Sequence, residues 1–182
     1  MPTTPTSERY SSLSIALHWL MLLLIIGVYT ATELREFYPK GSVERDALKA
    51  WHYTLGLTVF ALVWVRIVAR LMGPTPPIVP EPPAAQALLA KIIHLALYAL
   101  MIFMPIGGML ILSGEAKAIP FWGFQIPPLI GENKELAETI EEIHETFGNI
   151  GYALIALHAL GAIYHHHMVK DNTMRRMMPG RS

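Results

Sequence analysis

The chain has 182 residues, of which 53% are hydrophobic and 15% charged, with a mean hydropathy of +0.39; that is the profile of a membrane protein rather than a soluble domain. Net charge is zero, so its total says nothing about partners and only its distribution is informative. The absence of cysteine excludes disulfides, thiolate metal sites, iron–sulfur clusters and covalent c-type haem, and leaves histidine, methionine or oxygen ligands for any cofactor.

Residues 1–12 read as a polar tail with Pro2 and Pro5. The apolar segment 13–31 is too long for a signal-peptide core and reads as a first membrane helix, with His18 near its start and Trp19 as an interface anchor. A charged loop is expected over 32–49, turning at Pro39-Lys40-Gly41. The second span, 50–71, opens with His52 and has Gly56 one turn later. Arg66 follows His52 by fourteen residues, so it lies on nearly the same face at the opposite level. It is either an arginine snorkelling to the interface or a partner for an acidic group of a cofactor.

Segment 73–83, with six prolines, cannot be helical and predicts a stiff extended connector. The third span, 86–112, carries His94 early, and Pro105 with Gly107 and Gly108 predicts a kink or a thin stretch. The longest connection, 113–142, holds Phe121, Trp122, Phe124 and Pro127-Pro128, then an acidic run that leads helically into the fourth span, 143–168. That span carries His144 and His158, fourteen positions apart, hence on one face and roughly 21 Å apart along the axis. Gly148 and Gly161 beside them leave room for a flat macrocycle, although small residues also suit plain helix packing. A basic tail follows from Lys170.

Four spans put both termini on one side. That side holds eight of the fourteen basic residues (Arg9, Arg66, Arg70, Lys91, Lys170, Arg175, Arg176, Arg181) and only Glu8, Glu81 and Asp171 of the acids. The bias predicts cytoplasmic termini. His52 and His144 then lie toward the outer face, and His18 and His158 toward the inner leaflet. Octahedral iron in a porphyrin takes two axial ligands, so two histidine pairs across a four-helix bundle predict two b-type haems. Arg66, read functionally, would meet a haem propionate. A zinc site or a histidine-rich metal transporter is the rival, and only His94 with His165, His166 and His167 could converge for it. The expected class is therefore all-α, one integral membrane four-helix bundle within the lipid bilayer. No nucleotide-binding loop or hydrolytic site is legible, and no nucleic-acid partner is expected.

The stretches SLSIALHWLM, LREFYPK, PTPPIVP, HLALYALMIFMPIGGML, HETFGNIGYALIALHA and KDNTMRRMMPGRS resemble the bacterial cytochrome b561 family, in particular its members that oxidise superoxide and reduce ubiquinone. The resemblance covers all four spans and implies the same ligand pairs as the depth argument, His52 with His144 and His18 with His158. It implies an electron path from superoxide at the outer haem to ubiquinone at the inner one. His94 and His165 would lie near the inner haem, where an imidazole could serve a quinone with a proton or act only as a structural hydrogen bond. His166 and His167 read as interface residues. The resemblance also favours a basic funnel over the outer haem, with Arg35, Lys40 and Lys117 as candidates, whereas loop bases are more commonly solvated or salt-bridged. Related cytochrome subunits of hydrogenases and formate dehydrogenases share the four-histidine plan and imply a second role, electron carriage for a partner enzyme. Oligomeric state stays open.

Overall fold

The structure, a computed structural model, describes residues 9–180. Glu8 and Arg181, counted in the charge bias, lie outside the described residues. Four long helices form the body: α1 (Ser12–Arg35), α2 (Val43–Met72), α3 (Ala84–Gly114) and α4 (Lys134–Tyr164). All four are long and apolar enough to cross a membrane.

The helices run further than the apolar segments alone predict. Ser42 caps α2 by accepting from the Arg45 N–H at 3.2 Å, with Glu44 and Asp46 in the first turn. Asn133 caps α4 through the Leu136 N–H at 3.0 Å, with Glu135 following. Such caps and acidic first turns satisfy and complement the free N–H groups of a helix start. The expected loop 32–49 therefore shrinks to 36–42, and His52 and His144 sit well inside their helices rather than opening them. Hydrophobicity marked the lipid-embedded part; polar turns that only capping stabilises extend beyond it.

The long connection also holds an antiparallel hairpin, β1 (Ile119–Phe121) and β2 (Phe124–Ile126), in register Ile119↔Ile126 and Phe121↔Phe124. Its two-residue turn places Trp122 and Gly123 at positive φ (47° and 84°), the geometry whose twist matches paired strands. Ile119 is buried against Leu57 and Leu112, and the Trp122 indole donates to Thr58 Oγ1 at 3.0 Å. The hairpin is a small addition to an all-α membrane bundle.

α1 packs against α2 and α3 against α4, and the two pairs meet largely through α2 and α3. Met21, Val59 and Val63 form the apolar centre, with Tyr98, Met101 and Ile102 against them. Leu20, Leu23 and Ile26 on α1, Leu88, Ile92 and Leu95 on α3, and Leu157 and Leu160 on α4 remain exposed. Apolar faces turned outward while Ser14, Thr54 and Ser113 are buried invert the soluble pattern and suit lipid. Gly151 is needed for close approach: a Cβ there would overlap the Tyr29 hydroxyl, which donates to the Gly148 carbonyl at 2.9 Å. α3 continues through Pro105, and its thin stretch at Gly107 and Gly108 faces His144.

At the end carrying the termini, α4 loosens into a π turn (His165–Val169), and Lys170 turns the chain at φ 60°. The segment beyond folds back over the bundle. Asn172 accepts from the Val79 N–H at 2.8 Å and donates to the Pro77 carbonyl at 3.1 Å. Arg176 donates to the Pro76 carbonyl, the Tyr10 N–H donates to the Arg176 carbonyl at 3.2 Å, and the Trp19 indole donates to the Met177 carbonyl at 2.8 Å. Extended proline-rich chain has no ladder of its own, so side chains of the tail satisfy its backbone groups.

Candidate functional site

Two histidine pairs bridge the helix hairpins, one toward each end. Near the β-hairpin end, His52 on α2 and His144 on α4 have ring centres 6.2 Å apart, with planes crossing at 69°. Near the terminal end, His18 on α1 and His158 on α4 have centres 6.0 Å apart, crossing at 73°. Two imidazoles on opposite sides of one metal, each nitrogen about 2.0–2.1 Å from it, have ring centres roughly 6 Å apart. Both pairs therefore fit bis-imidazole ligation of a haem.

Neighbouring groups aim the rings. The Thr32 hydroxyl donates to the Val28 carbonyl at 3.2 Å, and His52 Nδ1 lies 2.9 Å from Thr32 Oγ1 and 3.3 Å from the same carbonyl. With the hydroxyl proton already committed, Nδ1–H is the donor and Nε2 is left bare, the tautomer a metal ligand needs. Opposite it, a Cβ on Gly107 would come within 3.3 Å of His144 Nδ1, so the glycine makes room for that ring. Between them opens a cavity of about 430 Å³, bounded by Gly56, Gly108, Gly148, Met101, Met104 and Leu57 among others. Gly56 has open space around it, as a macrocycle would require.

Four acids (Glu33, Glu36, Glu141, Glu145) line this cavity beside Arg35. Arg35 is bonded to Glu36 at 3.1 Å, and Arg45 joins the same carboxylate at 3.1 Å. Of the bases expected to form a funnel, only Arg35 lines the cavity. Lys117 borders a neighbouring recess with Asp46 and Lys49, bonded to Glu115 at 2.9 Å, which raises its pKa. Lys40 borders neither recess.

At the terminal end, Arg66 Nη1 donates to the Ser14 carbonyl at 3.0 Å, and Nη2 lies 3.4 Å from His18 Nδ1. The His94 ring is 5.1 Å from His158. His165 instead turns to Asp171, Nδ1 to Oδ2 at 2.6 Å. Asp171 is buried, which by itself raises its pKa, but the Thr173 N–H at 2.8 Å and His165 outweigh this and hold the carboxyl below its ordinary range. The His166 and His167 rings meet edge to face, with centres 4.8 Å apart. Among the described residues no group of three or more His, Asp or Glu converges on a common metal point, as zinc would require.

Sequence reading missed Thr32, Gly107 as a wall for His144, and Asp171. Thr32 precedes His52 by twenty residues, and only the antiparallel α1–α2 contact brings them together. Asp171 stood among tail charges and gave no sign of burial.

A membrane helical bundle with a histidine pair toward each end suits a b-type cytochrome, a membrane electron-transfer protein. The sequence profile of prokaryotic cytochrome b561 matches residues 9–180, and the chain belongs to that family, whose members bind haem b and act in oxidoreduction. It is 40% identical over 174 residues to cytochrome b561 homolog 1 of Escherichia coli (strain K12), covering 96% of this chain and 99% of the relative. To a probable superoxide oxidase CybB of Yersinia pestis it is 39% identical over 172 residues, 94% and 97% of the two chains. Cytochrome b561 homolog 2 of Escherichia coli (strain K12) is 27% identical over 186 residues, 98% and 95%.

Proposed function

We propose that this protein oxidises superoxide at one membrane face and reduces ubiquinone at the other. In this reading two superoxide ions, one quinone and two protons yield two dioxygen molecules and one quinol. The observation that carries it is the two histidine pairs, each with ring centres near 6 Å, one toward each end of the bundle; the likeness to a probable superoxide oxidase supports the substrate. The pairs His52/His144 and His18/His158 hold one haem b each. Haem b supplies a one-electron carrier when bound.

The chain's own residues do the rest. With both imidazoles of a pair committed to its haem, oxygen species would have no open metal position there. Arg35 meets the superoxide anion at the cavity, and the charge of Lys117 reaches Tyr53 on the same wall; Lys40 contributes from the loop. At the terminal face, Asp171 holds His165 Nδ1, which leaves Nε2 free to pass a proton to a quinone oxygen, and His94 beside His158 is the second candidate for that contact. The basic bias of that end supports cytoplasmic termini, and the family's prokaryotic membrane setting supports the bacterial inner membrane.

The acids around the cavity favour a second reading: an anion is repelled there, whereas a redox protein with a basic docking face is attracted. On that reading the chain is the electron-carrier subunit of a larger dehydrogenase.

One experiment separates the readings. Purified, haem-loaded protein given superoxide and ubiquinone forms quinol at a rate tied to superoxide supply. His144→Ala and His158→Ala each lose about half the haem absorbance and abolish quinol formation. Retention of both haems in either variant overturns the ligand assignment; a fully loaded wild type inert to superoxide leaves the carrier reading.

A further inference from the structure

Three arginines gather at the terminal end without a carboxylate. Arg66 and Arg70 lie one turn apart on α2, and the C-terminal segment brings Arg176 to the same Tyr10 ring that Arg70 covers. The guanidinium carbon of Arg70 is 4.2 Å and that of Arg176 5.5 Å from the centre of the Tyr10 ring. Arg66 Nη2 in turn lies 3.4 Å from His18 Nδ1, which ties the cluster to the His18/His158 pair. Among the described residues none of the three forms an ion pair. Arg70 Nη1 and Arg176 Nε are buried with no hydrogen-bond acceptor, and Arg176 is only 8% exposed. The nearby buried acid, Asp171, is committed to His165 and Thr173. Buried like charges and orphaned N–H groups are costly to leave uncompensated. Guanidinium forks match the geometry of carboxylate and phosphate oxygens.

We infer that Arg66, Arg70 and Arg176 form one oxyanion site that takes the propionate carboxylates of the haem at His18/His158, which makes the C-terminal segment part of that cofactor's binding site. This rests on the reading that His18 and His158 hold a haem. The folded-back tail then has a function beyond tying the proline-rich connector: it closes the cofactor site with a third cation. Cations there favour the reduced haem, so this end draws the electron.

The test uses full-length, haem-loaded protein. His158→Ala first identifies the haem of this end by its loss; if no haem is lost, the underlying ligand reading fails rather than the arginine site. Arg70→Gln, which leaves the tail contacts in place, and Arg176→Gln are then compared with Arg175→Gln, an exposed neighbour. The expected result is a lower midpoint potential and faster loss on washing for that one haem in both variants. The other haem and Arg175→Gln stay at wild-type values. Reconstitution with haem dimethyl ester, which lacks free carboxylates, should abolish the difference between Arg70→Gln and wild type. A phospholipid phosphate is the other oxyanion source. Loss of anionic-lipid binding by native mass spectrometry, with both haems unchanged in potential and retention, would assign the site to lipid and overturn the proposal. So would a difference that survives esterification.

Discussion

His52, a proposed haem ligand, shows how much of a ring's behaviour is set by one neighbour. Its ring could carry its proton on either nitrogen; the Thr32 hydroxyl, already donating to Val28, leaves Nδ1 as donor and Nε2 bare. Partners of this kind commonly alter metal affinity or activity 10–100-fold. Thr32→Val should therefore weaken retention of the haem at His52/His144 by about tenfold, measured as haem absorbance per chain after dilution, while Thr32→Ser keeps it. Equal retention in both variants would mean that the Val28 carbonyl alone orients the ring. Gly107 acts by what it lacks: any side chain there presses on His144.

Among the elements, the C-terminal segment depends most on a single titrating group. Asp171 accepts from Thr173 and meets His165, and Asn172 and Arg176 next to it bind the proline-rich connector. Its folded pKa is depressed, so its contribution is fully present above the unfolded aspartate pKa of about 3.9. It is lost only as pH falls through the lower folded value. Hydrogen exchange across residues 170–178 should accordingly stay slow from neutral pH down to the ordinary carboxylate range and quicken only below it. Asp171→Asn should show fast exchange already at pH 7, with the four helices unaffected. Slow exchange in that variant would show that Asn172 and Arg176 suffice to dock the segment.

Over the whole molecule, charge is unequally placed: Arg66, Arg70 and Arg176 gather at the His18/His158 end without a carboxylate partner, and acids crowd the cavity of His52/His144. Such a field favours an added electron at the terminal end, in the direction of the proposed transfer. The same field opposes approach of an anion at the other end. If superoxide enters through the acid-lined cavity, its rate of haem reduction should rise with salt as the repulsion is screened over ~10 Å at 0.1 M. Stopped-flow reduction across an ionic-strength series checks this, with Arg35→Glu expected to slow the low-salt rate further. A rate that falls with salt would assign capture to the outlying bases Lys40 and Lys117.

The membrane class, the four spans and both histidine pairs were legible in the sequence because each rests on composition or helical spacing. An apolar run of sufficient length must be helical in lipid, and residues fourteen apart share a face whatever surrounds them. Pairing the helix-four histidines with His18 and His52 needed only depth, which the alternating direction of the spans supplies. Side-chain partners were not legible. That Arg35 and Arg45 share Glu36, that Asp171 is buried under a folded-back tail, that Thr32 meets His52 and that Arg176 reaches the α2 arginines all depend on which faces pack together. The start of α2 escaped for a related reason: the cap at Ser42 prolongs it through polar sequence that hydrophobicity cannot mark, whereas the acidic run before the fourth span did read as helical. Periodic local order is written along the chain, but a contact between residues 20 or 160 positions apart exists only once the bundle has closed.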